Sequence, residues 1–164
     1  MSKKDDTNIN VEKISKLIGY DFKNTKLLTE SFTHKSVSEN NYERLEFLGD
    51  AVLQLIITKN LYKTYPHIDE GTLSREKQSI VSKKIISKIS LELRLTDFLI
   101  SKNLDLNSSL SLKNTIASNM IESLIGALFL DSNYSTCEEI VSKIFSKYLI
   151  VKKDIGIKDS KTLL

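Results

Sequence analysis

Apolar residues recur at helical spacing through most of the chain, and the strict alternation that marks strands is scarce. "VEKISKLIGY" predicts a short amphipathic turn or two of helix ending at Gly19, and "NTKLLTESFTH" a second helix with Asn24 placed as its cap. A third runs from about Glu43 to Tyr65 and is stopped by Pro66, the only proline in the chain. After the turn "PHIDEG", "TLSREKQSIV" and "SKKIISKISLELRL" read as two consecutive helices, with Ser82 as the cap between them. The polar run "SKNLDLNSSLSL" reads as a loop. "KNTIASNMIESLIGALFLD" is a second strongly apolar helix, and "STCEEIVSKIFSKYLI" closes the pattern. The expectation is one all-α domain over residues 11–150, behind a polar tail at 1–10. Residues 151–164 lose the apolar period and read as a linker.

Two of these helices carry charge where the pattern demands a core. In "NYERLEFLGDAVLQL", Glu46 and Asp50 sit among Leu45, Phe47, Leu48, Val52 and Leu53. A carboxylate removed from water is costly unless it is paired or binds a metal. Being i and i+4, the two side chains share one helix face. Asn119 and Glu122, i and i+3, share a face of the second apolar helix. If the helices pack side by side, four oxygen-bearing side chains converge. Such hard donors suit Mg²⁺ or Mn²⁺ rather than zinc. Carboxylate clusters holding divalent ions are standard apparatus for phosphodiester hydrolysis. Spacing alone leaves a solvated acidic face open as the ordinary alternative. The flanking Ile121, Leu124 and Ile125 leave little room for a polar stripe. Gly49 and Gly126, each inside a helix at a cost of up to about 1 kcal/mol, point to close approach of backbones or of a ligand.

Composition narrows the class without naming a partner. The 164 residues are 40% hydrophobic and 27% charged, as in an ordinary soluble domain. The net charge of +3, from 24 basic and 21 acidic residues, is too mild to establish a nucleic-acid partner. Arg44, Arg75 and Arg94 are the only arginines, a lysine bias that reads as genomic. The single cysteine, Cys137, excludes an intramolecular disulfide and reads as a small apolar filler. His34 reads as a structural residue and His67 as an exposed turn residue. No secretory signal opens the chain, and no apolar run approaches the roughly 20 residues that span a bilayer. A cytoplasmic protein without a membrane partner is expected.

"ERLEFLGDAVL" resembles the signature of the ribonuclease III family at nearly every position. "GYDFKNTKLLTESFTHKS", "DEGTLSREKQSIVS" and "ESLIGALFLDSNY" resemble its opening segment, its middle motif and its second catalytic helix, in the right order over residues 14–150. The resemblance implies an all-α endonuclease domain, a helical bundle forming a two-fold dimer. It implies a homodimer that cuts double-stranded RNA with Mg²⁺, for which Mn²⁺ can substitute. The products would carry 5′-phosphate and 3′-hydroxyl ends with a short 3′ overhang. Glu46, Asp50 and Glu122 match the family's metal-binding carboxylates. Glu43 and Glu70 match two supporting acidic positions near the dimer cleft. Phe47 matches an aromatic that inserts into the partner subunit in some members; without the family, core packing is the reading for it. Lys77, Lys83 and Lys84 could contact phosphates, with a solvated helix face as the alternative for any one of them.

Two departures qualify the match. Where the family has Asp three residues before the catalytic Glu, "SNMIESLIG" has Asn119. Read as a fourth, uncharged oxygen ligand, Asn119 weakens metal affinity and shifts preference toward Mn²⁺. It fits a tolerated variant, a substitution made to slow cleavage, or a silent dimeric RNA-binding scaffold. Retention of Glu46, Asp50 and Glu122 favours an active nuclease. The closing "DSKTLL" resembles the opening of the double-stranded-RNA-binding domain that follows in bacterial members, so that domain reads as missing.

Overall fold

A computed structural model describes residues 9–149. The element order is α1 (Val11–Ile18), α2 (Thr25–Ser31), α3 (Glu43–Thr64), α4 (Glu70–Ile80), α5 (Lys83–Glu92), α6 (Leu110–Asp131) and α7 (Tyr134–Ile144), with a 3-10 turn at Leu95–Phe98 between α5 and α6. The architecture is all-α; the only ladder-type pairing among the described residues is one isolated bridge between Thr33 and Ile100. The linker assigned to residues 151–164, "DSKTLL" included, lies outside the described residues.

Helix starts follow their caps. Asn24, Asp69, Ser82, Ser109 and Asn133 each accept a hydrogen bond from a backbone N–H one turn into α2, α4, α5, α6 and α7. Two starts differ from the sequence expectation. Asp69 caps α4 inside the stretch read as the turn "PHIDEG", and Ser109 caps α6 inside the stretch read as a loop. The first turn of α6 begins at Leu110, which is 73% exposed. A turn that faces water shows no apolar period, so its sequence looks like loop. At the other end of "SKKIISKISLELRL" the helix stops at Glu92, and Arg94 takes the left-handed conformation (φ 58°) before the 3-10 turn.

α6 is the axis of the bundle. Ile116, Met120, Ile121, Leu124, Ile125 and Leu128 are all buried on it, and α2, α3, α5 and α7 pack around it. Its largest partner is α3, whose buried stripe runs Leu45, Gly49, Val52, Leu53, Ile56, Ile57, Leu61, an i, i+3/i+4 pattern. Polar ties fix the bundle at its ends. The buried Ser123 hydroxyl donates to the Ser31 carbonyl, holding α2 to α6. Asp131, the last residue of α6, accepts from Tyr20 Oη (2.8 Å) and from the backbone N–H groups of Lys23 (2.8 Å) and Asn24 (2.9 Å). Lys59 of α3 pairs with Glu138 of α7 at 2.8 Å. Cys137 is fully buried, and burial pushes its thiol up to about 12, so it is the inert filler expected. No described helix is long and apolar enough to cross a membrane.

Candidate active site

The crossing of α3 and α6 is set by two glycines. A Cβ on Gly49 would overlap the Glu122 carbonyl of α6, and one on Gly126 would overlap the Leu45 carbonyl of α3. Leu45 lies against Gly126 and Gly49 against Glu122, so the helices run antiparallel in backbone contact. The helix-propensity cost of the glycines is thereby explained by close approach of backbones. Because Glu46 and Asp50 flank Gly49 on α3, and Glu122 carries the carbonyl that Gly49 touches, the same contact brings the three carboxylates to one cleft.

That cleft is lined by His34, Lys35, Tyr42, Glu43, Glu46, Phe47, Asp50, Leu112, Thr115, Ile116, Asn119 and Glu122. All four residues singled out by spacing are therefore together, with Glu43 at the rim. Glu43 stands 3.9 Å from the exposed Lys35. Glu70 is not part of the cleft: it is exposed on the first turn of α4, accepting from Ser74 Oγ at 2.9 Å. Phe47 is not core but 83% exposed, which overturns the core-packing alternative. It lies between the cleft and a second hollow lined by Leu27, Leu45, Leu48 and Leu130, with Glu30, Glu43 and Arg44 beside them.

Electrostatics mark the cleft as short of positive charge. Glu122 is pushed up to about 8, first by burial, then by the charges of Asp50 and Glu46 and by a hydrogen bond shared with Asp50. Glu46 is raised by burial and then by Glu43 and Asp50. Asp50 also accepts from Gln54 Nε2 at 3.1 Å. Three half-buried carboxylates that repel one another, with only the exposed Lys35 and Lys83 at the walls, are a donor set suited to a hard divalent cation. The fit is one of donor chemistry and charge and not of geometry, because no three Asp, Glu, His or Cys side chains among the described residues stand where they could hold a metal ion together.

Asn119 has one orientation that satisfies its neighbours. Its Nδ2 then donates to the Thr115 carbonyl (3.1 Å) and to Glu46 Oε1 (3.3 Å). Burial raises the pKa of the Tyr42 phenol in the same wall. Tyr42 and Thr115 are not among the residues expected from sequence. Thr115 is recoverable from spacing, four residues before Asn119 on the same face. Tyr42 offers only adjacency to Glu43. His34 holds a structural place in the wall, its Nδ1 2.8 Å from Ser36 Oγ and its ring edge-on to Tyr42, and burial lowers its pKa.

Known proteins resemble this chain in sequence and in fold. A family model described as Ribonuclease-III-like matches residues 24–149. Ribonuclease 3 of Shewanella piezotolerans is 36% identical over 155 residues, 94% of this chain and 69% of the relative. Ribonuclease 3 of Buchnera aphidicola is 39% identical over 154 residues, 93% of this chain and 68% of the relative. The nuclease domain of ribonuclease III from Campylobacter jejuni, described as flexible in the region involved in dimer formation, superposes with a TM-score of 0.79 at 35% identity, covering 85% of this chain and 98% of that one. Fold, charged cleft and relatives agree: the chain belongs to the ribonuclease III family of endoribonucleases.

Proposed function

We propose that the chain is a double-stranded-RNA-specific endoribonuclease that works as a homodimer with Mg²⁺ or Mn²⁺. The observation that carries this reading is the gathering of Glu46, Asp50 and Glu122 in one cleft by the Gly49–Gly126 contact. These three carboxylates would hold the cation. When bound, it supplies Lewis acidity at the phosphoryl group and an activated water. The chain's own contribution is to hold the carboxylates on two rigid helices and to keep them half-buried, where charge acts more strongly than in bulk water. Glu122, pushed up to about 8 by burial and by Asp50 and Glu46, would hold a proton at neutral pH, so it is the carboxylate whose charge a cation would have to draw out. The products would carry 5′-phosphate and 3′-hydroxyl ends with short 3′ overhangs.

Dimerisation is supported by Phe47. A ring 83% exposed, beside a hollow walled by Leu27, Leu45, Leu48 and Leu130, is self-complementary under a two-fold axis: each copy offers one ring and one hollow. A two-fold protein presents one cleft to each strand of an antiparallel duplex. Glu70, outside the cleft of its own protomer, would reach the chemistry at the cleft of a second copy. A-form RNA is read by shape, backbone and 2′-hydroxyls, so little base preference is expected.

The test is cleavage of a labelled RNA duplex at low salt with Mg²⁺, with Mn²⁺ and with chelator, comparing the chain with Glu122→Gln. Staggered cuts that need metal and vanish in Glu122→Gln support the reading. Duplex binding by folded dimer without any cleavage, in either metal, would make the domain a silent RNA-binding scaffold.

A further inference from the structure

We propose that Asn119 serves in the cleft as a hydrogen-bond donor that fixes Glu46, and is not itself a cation ligand. In the one orientation that leaves neither end of the amide against a like group, its nitrogen faces two acceptors, the Thr115 carbonyl at 3.1 Å and Glu46 Oε1 at 3.3 Å. Both amide protons are thereby engaged. What Asn119 turns toward the carboxylate is therefore N–H, which holds an anion but cannot ligate a cation. The chain Thr115–Asn119–Glu46 ties α6 to α3 across the mouth of the cleft. Cation binding falls to Glu46, Asp50 and Glu122 alone.

The chemistry of the isosteric acid shows what the amide achieves. A carboxylate at position 119 would set its oxygens against the Thr115 carbonyl and Glu46, acceptor against acceptor. Without a cation that contact is repulsive; with one, the extra carboxylate becomes a fourth charged donor. Residue 119 thus decides how the cleft is held together. The amide orders it with hydrogen bonds before a cation arrives, whereas the acid leaves the ordering to the cation. The part concerning cations rests on the reading of the cleft given above; the hydrogen bonds do not.

The test is a double-mutant cycle at positions 119 and 46, read by thermal melting in chelator and by Mn²⁺ titration calorimetry. In chelator, Asn119→Asp should lower the melting temperature by about 2–4 °C. In the Glu46→Gln background the loss should largely disappear, because the amide introduced at position 46 can donate to the carboxylate introduced at position 119. With Mn²⁺, Asn119→Asp should bind about tenfold more tightly than the parent and recover the lost melting temperature. Asn119→Ala should keep most of the parent's Mn²⁺ affinity, in contrast to Glu122→Gln. Equal loss from Asn119→Asp in both backgrounds would overturn the donor role. So would an Asn119→Ala affinity loss as large as that of Glu122→Gln, which would make the amide a ligand. If none of the proteins bound Mn²⁺, the cation reading of the cleft would fail, and the cycle in chelator would still decide what Asn119 does.

Discussion

The α3–α6 crossing has two sides that share a backbone and little else. Toward the core lie Leu45, Val52 and Leu53 of α3 with Met120, Ile121, Leu124 and Ile125 of α6, all buried. Toward the cleft lie Glu46 and Asp50 with Asn119 and Glu122, half-buried and short of positive charge. Burial stabilises the first set and raises the energy of the second, since Glu122 is held up to about 8 chiefly by loss of water. The two sides are one residue apart in sequence, Leu45 beside Glu46 and Ile121 beside Glu122. The core side therefore supplies the rigidity that keeps mutually repelling carboxylates together. Changes that act on the fold are thereby separable from changes that act on the chemistry.

Glycine-to-alanine changes at the crossing should damage both sides at once, and most severely. The methyl group of Gly49→Ala or Gly126→Ala meets backbone carbonyl, which cannot swing aside like a side-chain tip. A loss of about 3 kcal/mol or more is expected, lowering the melting temperature by at least about 6 °C. Gly71→Ala is the control, since its methyl group would meet only the Asp69 carboxylate at 3.2 Å and Arg75 beyond it. Equal melting temperatures for Gly49→Ala and Gly71→Ala would mean that the helices can part without cost.

Single-side changes should dissociate stability from activity. Leu53→Ala, on the core side, should cost about 2–5 kcal/mol while the folded fraction keeps its cleavage rate. Glu122→Gln should abolish cleavage, by at least about 100-fold, and leave the fold intact. Its pH profile gives the sign. Glu122 has a folded pKa raised from 4.5 to about 8, so its contribution is full below pH 4.5 and is lost as pH rises through about 8. In chelator the parent should therefore melt at progressively lower temperature between about pH 4.5 and 8, and Glu122→Gln should flatten that slope. A parent profile as flat as that of the variant would show that Glu122 is not held protonated.

The core side is the more legible in sequence. All seven described helices are anticipated by apolar spacing, with Asn24 and Ser82 anticipated as caps, because burial imposes a period that can be read without knowing the partner. The first turn of α6 escapes because Leu110 faces water. The cleft is legible as far as its carboxylates, whose i, i+4 and i, i+3 spacing places each pair on one face. Asn119 can be located but its direction cannot, since that depends on the Thr115 carbonyl and on Glu46 from another helix. Phe47 reads as an insertion residue from the family and as core from its neighbours; its exposure favours the first. Phe47→Ala should weaken self-association by about 10-fold or more, as loss of a buried aromatic anchor does. Sedimentation of parent and variant at matched concentrations measures it, and an unchanged monomer–dimer equilibrium would remove Phe47 from the interface.

The smallest effect is expected away from the crossing, along α5. Lys83, Lys84 and Lys88 line one groove with Asn114 of α6. Lys83 Nζ reaches Thr115 Oγ1 at 2.7 Å, so the groove adjoins the wall of the cleft. A duplex seated on the cleft and continuing along this groove would meet lysines as point charges, each able to neutralise about one phosphate. Their removal tests for a shallow ionic contribution that leaves the chemistry alone. Lys84→Ala and Lys88→Ala should each lower the slope of log affinity against log salt by about 1 or less, equally for duplexes of unrelated sequence. Cleavage at saturating RNA should be unchanged, because neither lysine lines the cleft. Salt slopes identical to the parent in both variants would return these side chains to the solvated helix face, and would place the duplex on another path across the dimer.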